Sequence, residues 1–134
     1  MIDYDFLDTS SLMIQIPKSN FIISSITLLE IESIKYSSNK DFDTKQRARE
    51  VSRYLLDHPD QYQVIIFTKD MLNVFTEDYE INSDLKILSC VLWLKEKHQE
   101  FNYIFYTNDN NLSHIAKLFL GKDNVKLMEE EPDD

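Results

Sequence analysis

Four acidic side chains fall where apolar runs give way to polar turns: Asp8 in FLDTSSL, Glu30 in ITLLEIE, Asp84 in NSDLKIL and Asp109 in YTNDNN. Each admits a structural role. Asp109 can cap a following helix, and Asp84 in a helix's first turn meets the positive end of the dipole. Thr27-Leu-Leu-Glu30 fits a capping box, with Glu30 reaching back to the Thr27 amide. Asp8 fits this account least well, because it directly follows Phe6-Leu7, where a central strand is buried and an unpaired carboxylate is costly to desolvate. Taken together, four carboxylates at one sheet edge would repel one another, and the remedies are raised pKa values or a bound divalent cation. An all-oxygen donor set, with His58, His98 and His114 scattered, favours Mg²⁺ or Mn²⁺ over Zn²⁺.

The elements that must position these acids are legible in the hydrophobic pattern. IDYDFLD and FIISS read as short strands, and TLLEIESIK follows with Leu28, Leu29, Ile31 and Ile34 at helical spacing. A polar link, YSSNKDFD, leads to the helix TKQRAREVSRYLLDH, whose apolar face is Ala48, Val51, Leu55 and Leu56. After Pro59, QVIIFT reads as a buried strand. Residues 70–81 are ambiguous between a short helix and a loop. SDLKILSCVLWLKEK is a helix apolar nearly all round, YIFYT a strand, NNLSHIAKLFLG a helix with Gly121 at its end, and VKLM a last strand. Strands alternating with helices predict an α/β fold, a three-layer α/β/α sandwich with a mainly parallel sheet, whose ligand site lies at the C-terminal strand ends.

Composition sets the remaining bounds. A chain of 134 residues, 43% hydrophobic, with no apolar run long enough to span a bilayer, reads as one soluble, cytoplasmic domain over residues 1–128. The end, EEEPDD (129–134), reads as a solvated acidic tail. The lone Cys90 excludes an internal disulfide and a Cys-based zinc site, and a single glycine excludes the Gly-rich phosphate loops. The net charge of −10 argues at first against nucleic acid. Setting aside the five tail acids and the four candidate ligands, however, leaves 15 acids against 14 bases. Lys45, Arg49 and Arg53 recur every four residues on one helix face, with Lys40 and Arg47 nearby, a candidate track for phosphates. The competing reading is an ordinary solvated face. Tyr36, Phe42 and Tyr54 could stack on bases, but core packing is the expectation for most of them.

The ordered set LDTSSL, ISSITLLEIESIK, SDLKILSC and YTND resembles the motifs of the PIN-domain nucleases, and FDTKQRAREVSRYLL resembles the Arg-containing helix of the PIN domain of PhoH-like proteins. The resemblance covers about Asp5 to Gly121, and Ser10 stands where many members have Asn. It implies an α/β/α sandwich, Mg²⁺ or Mn²⁺ held by Asp8, Glu30, Asp84 and Asp109, and ribonuclease activity. Thr9, Ser10, Thr107 and Asn108 would then orient those acids, or serve only as turn residues. Single-stranded RNA is the expected substrate, cut to 5′-phosphate and 3′-hydroxyl ends. The alternative is a PIN-like module that binds RNA or protein with little catalysis. A homodimer or protein partner is left open, and a membrane partner is not expected. An Asp two residues after the first, as in haloacid-dehalogenase-like phosphatases, is lacking because Ser10 occupies that place.

Overall fold

A computed structural model of the chain describes residues 1–18, 20–76 and 79–130. Its centre is a five-stranded sheet in the order β3-β2-β1-β4-β5, formed by β1 (Ile2–Leu7), β2 (Phe21–Ser24), β3 (Tyr62–Ile65), β4 (Phe101–Tyr106) and β5 (Val125–Lys126). All four pairings are parallel, so every strand ends at the same edge. Side chains alternate across this sheet. Phe6, Ile22 and Phe105 join one core with α4 (Ser83–Lys97) and α5 (Asn110–Leu120). Leu7, Phe21 and Ile23 join the other with α1 (Thr9–Ile14), α2 (Ser25–Tyr36) and α3 (Phe42–Asp57). The expected three-layer parallel α/β/α sandwich is the fold found.

The strand order places the site. From β1 the chain moves to β2 and β3 on one side, then crosses to β4 and β5 on the other. Helix α1 leaves β1 toward one face and α5 leaves β4 toward the opposite face, which opens a crevice beyond the ends of β1 and β4. Such a topological switch point is where parallel α/β sheets bind ligands.

Several local expectations are corrected. The sequence suggested no helix after Asp8, yet Thr9–Ile14 is one; at six residues it is too short to show a period. Helix α2 starts at Ser25 with Ser24 as its cap, so Thr27 is already helical and the capping box does not form. QVIIFT is not a buried strand: β3 stops at Ile65 and is a sheet edge, with Gln63 and Val64 exposed. Leu29 and Leu56, assigned to apolar faces, are 67% and 75% exposed. The ambiguous stretch resolves to the short-helix alternative in part, a 3₁₀ segment at Lys69–Val74, and VKLM contributes only two residues to β5. Asn82 caps α4, and Asp84 lies in its first turn as expected. Residues 131–134 of the expected acidic tail lie outside the described residues. Among the described residues, no helix is long and apolar enough to cross a membrane.

Candidate active site at the carboxylate edge

Asp8 is the first residue past β1 and is only 2% exposed. It caps the unforeseen helix: Oδ1 accepts from the Ser11 amide at 2.8 Å. Ser10 Oγ lies 2.9 Å from both carboxylate oxygens, and Thr107, just past β4, donates its hydroxyl to Oδ2. The expectation that a buried Asp8 needs a cation is therefore answered in part by neutral donors. They do not suffice: burial raises the pKa of Asp8 against the lowering effect of Thr107, Ser11 and Ser10. Desolvation outweighs all the hydrogen bonds together.

Glu30 lies on α2 and accepts from Thr9 Oγ1 at 2.7 Å. Thr9 has one hydroxyl proton, so the 3.1 Å contact between Thr9 Oγ1 and Thr27 Oγ1 is made with the Thr27 proton. Burial raises the Glu30 pKa, Thr9 partly opposes this, and the charge of Asp8 raises it further. Asp84, in the first turn of α4 and half-buried, is pushed up to about 6. Burial is the largest cause, followed by the charges of Asp109, Glu30 and Asp8 in that order, and all four act in the same direction. The fold thus brings Asp8, Glu30 and Asp109 within electrostatic reach of Asp84. Asp109 caps α5, with Oδ1 accepting from the Leu112 amide at 2.9 Å, while its own amide donates to Thr107 Oγ1 at 3.1 Å.

Hydrogen bonds direct Asp8, Glu30 and Asp109 to different partners. Among the described residues, no three His, Cys, Asp or Glu side chains stand together closely enough to hold a metal ion without moving. The donor set nevertheless suits a hard divalent cation: four oxygen-bearing groups, three of them with pKa values raised, and none of the influences named for Asp84 a cation. A charge of +2 would reverse each of those shifts.

The neighbouring polar residues divide into two kinds. Thr9, Ser10 and Thr107 bond the acids directly. Asn108 does not; its amide donates to Ser10 Oγ at 2.9 Å, and its side chain pairs with both the carbonyl and the amide of Met128 at 3.0 Å each. It therefore ties the segment after β5 to the site edge. Two contributors escaped the sequence reading. Thr27 is one, and Ser11 is the other, its hydroxyl 2.9 Å from the Tyr106 carbonyl and 3.0 Å from that of Asp8. The Ser-Ser pair after Asp8 was the available signal, an Asp followed three residues later by the amide it caps.

The basic residues also divide. Arg47 is committed to the fold, with Nε donating to the Met13 carbonyl at 2.8 Å and Nη1 to Glu50 at 3.3 Å. Arg49 reaches the Lys35 carbonyl at 3.4 Å. Lys40 is exposed beside Asp41, while Lys45 and Arg53 have no hydrogen-bond or ion-pair partner among the described residues. The expectation of core packing is not met: Tyr54 is half-buried and stacks on His58 without joining either core, and Tyr36 and Phe42 are 78% and 70% exposed.

A comparison with protein families matches residues 6–119 to the PIN domain. No curated protein sequence matches the chain. PIN domains are generally metal-dependent nuclease folds that use divalent metals such as Mg²⁺ or Mn²⁺. With a match that spans most of its length and a parallel α/β/α sandwich carrying acids at its switch point, this chain belongs to the PIN-domain family.

Proposed function

We propose that the chain is a metal-dependent endoribonuclease acting on single-stranded RNA, with Asp8, Glu30, Asp84 and Asp109 as its metal-holding acids. The observation that carries this reading is the placement of Asp8 and Asp109 just past the ends of the adjacent parallel strands β1 and β4, with Glu30 and Asp84 close enough for the charges to raise the pKa of Asp84. A half-buried site where neighbouring acids penalise the charge of Asp84 and of Glu30 makes physical sense where a cation is to be held. When bound there, Mg²⁺ or Mn²⁺ supplies an acidified water and charge stabilisation for phosphodiester hydrolysis, a reaction that leaves 5′-phosphate and 3′-hydroxyl ends.

The protein's own contribution is orientation. Thr107 and Ser10 hold the Asp8 carboxylate between the ends of β1 and β4, and Thr9 turns Glu30 toward the same edge. Partial burial weakens the screening of the acids by water, so their joint field on a cation is stronger than it would be on an open surface. Lys40, Lys45, Arg49 and Arg53 would meet RNA phosphates on the α2–α3 side, and Arg47, spent on Met13 and Glu50, would act mainly by holding α3 to α1. The kinship of α3 to the PIN domain of PhoH-like proteins, and a cytoplasmic RNA target, belong to the same proposal.

The test is cleavage of mixed-sequence RNA by purified protein with Mg²⁺ or Mn²⁺, compared with Asp8→Asn and Asp109→Asn. Both variants should lose cleavage while keeping their circular dichroism spectrum. Equal cleavage by all three proteins would mark the activity as contamination and leave the binding-module reading in its place.

A further inference from the structure

Helices α2 and α3 form a hairpin: α2 ends at Tyr36, α3 begins at Phe42, and five residues join them. Both aromatic rings therefore lie at the hairpin's tip, and both are largely exposed to solvent, 78% for Tyr36 and 70% for Phe42. Neither is needed by the core. The buried face of α3 is Ala48, Val51 and Leu55, and that of α2 is Thr27 and Ile31. Two large rings exposed together on one tip, where most such area would be buried, point to a surface that binds something.

The charge around the rings says what that is. Residues 35–53 carry six bases against three acids in a chain whose overall charge is −10. The acids are largely occupied: Asp41 caps α3 through the Thr44 amide and Glu50 pairs with Arg47. The cations are more available. Lys40 is exposed at the tip, and Lys45 and Arg53 have no partner among the described residues, whereas the Lys35 ammonium, 5.6 Å from the Tyr36 ring centroid, is paired with Glu32 at 2.8 Å. Flat apolar faces set among cations suit a ligand that alternates stackable rings with negative charge, which is unpaired nucleic acid. A base-paired duplex hides its ring faces and would use only the cations. Glu30 and Tyr36 lie six residues apart on α2, about 9 Å along the helix axis at 1.5 Å per residue, so a strand held at the tip is within reach of the acids.

We infer that the α2–α3 tip is a docking surface for single-stranded RNA, with Phe42 and Tyr36 stacking on bases and Lys40, Lys45, Arg49 and Arg53 meeting phosphates. This rests on the nuclease reading and adds to it where the substrate is gripped and why it is unpaired.

The test reads binding alone, by fluorescence anisotropy of a short labelled oligouridine with EDTA present, so that loss of cleavage does not obscure it. Phe42→Ala and Tyr36→Ala should each weaken binding about five- to a hundredfold, the effect of losing one stacked base. If all four cations meet phosphates, log affinity should fall with log salt at a slope of about −3, and Arg53→Ala should reduce it by about 0.7. Wild-type affinity for both aromatic variants, or no binding by wild type at low salt, overturns the inference. Equal or tighter binding of a duplex or of single-stranded DNA overturns the assignment to unpaired RNA. Sedimentation showing that Phe42→Ala breaks a dimer without changing RNA affinity would make the tip an interface between copies and overturn it too. Cleavage that survives Asp8→Asn refutes the nuclease reading but does not touch these outcomes.

Discussion

Replacing Asp84 with Asn should make the metal-free protein more stable and catalytically dead. The carboxyl's pKa rises from 3.8 to about 6 because burial and three neighbouring acids penalise its charge. Such a rise corresponds to at most ~3 kcal/mol of native-state cost at neutral pH. Asp84 is only half-buried, so solvent screening brings the expected value nearer ~1 kcal/mol. The sign follows from linkage. Above about pH 6 the folded protein holds Asp84 ionised at a cost that the unfolded chain does not bear, whereas below about pH 4 the group is protonated in both states and the cost vanishes. Stability from this residue therefore falls as pH rises between those limits, and Asn removes the fall.

The assay is thermal unfolding in EDTA. Asp84→Asn should melt about 3–5 °C above wild type at neutral pH, the shift expected from ~1 kcal/mol in a domain of this size, and the difference should shrink toward zero near pH 4. Saturating Mg²⁺ should raise the wild-type melting temperature more than that of the variant, because a cation bound only to the native state stabilises it by mass action. A variant that melts below wild type at neutral pH, or keeps its full advantage in acid, would refute the electrostatic reasoning. A more stable variant that still cleaves RNA at the wild-type rate would leave the electrostatics standing and remove Asp84 from the site.

Thr107→Val deletes the hydroxyl that donates to Asp8 and accepts from the Asp109 amide. Activity should fall about ten- to a hundredfold, the usual effect of losing a group that orients a ligand, and the acid limb of the pH–rate profile should move to higher pH as Asp8 loses a partner that lowers its pKa. Thr107→Ser should restore both, and a fall in rate with an unmoved acid limb would count against this role. Deleting residues 129–134 should tighten RNA binding at low salt, with the gain vanishing at high salt, because Asn108 pins Met128 beside the site and the acidic run starts there. Unchanged affinity at low salt would make the run a solvated end and nothing more.

How much of this could be read from the sequence depends on whether a residue's role is set by its own segment. Helix α4 is visible from Ser83 to Lys97 because fifteen residues carry one unbroken pattern, and Asp109 reads as a cap because the strand, turn and helix around it are contiguous. Helix α1 is too short for a period, so the cap made by Asp8 went unseen. Glu30 illustrates the opposite error. Its local sequence favours a capping box, but Thr9, 21 residues away, offers a hydroxyl at 2.7 Å, and the helix starts three residues earlier than the box requires. The edge position of β3 was hidden for a related reason: QVIIFT has the composition of a buried strand, and only strand order, which no local pattern encodes, leaves it at the rim. Arg47 and Arg53 look alike on the helix repeat, yet one is spent on a carbonyl of α1 and the other faces solvent.

Asp8 and Asp109 show how capping and metal holding can share one group. A carboxylate has two oxygens. In each residue Oδ1 accepts the amide three positions on, which fixes the direction of the side chain at the start of α1 and of α5. In Asp8 the second oxygen meets only hydroxyls, from Ser10 and Thr107, which can turn to accommodate an ion. The cap thus sets where the second oxygen points, and burial raises the cost of leaving its charge unmatched. Asn caps a helix about as well as Asp but carries no charge. Asp109→Asn should therefore leave the melting temperature in EDTA close to that of wild type while cleavage and the Mg²⁺-induced rise in melting temperature are both lost. If the substitution instead lowers stability in EDTA as much as it lowers activity, Asp109 serves the fold alone and the metal reading of that acid fails.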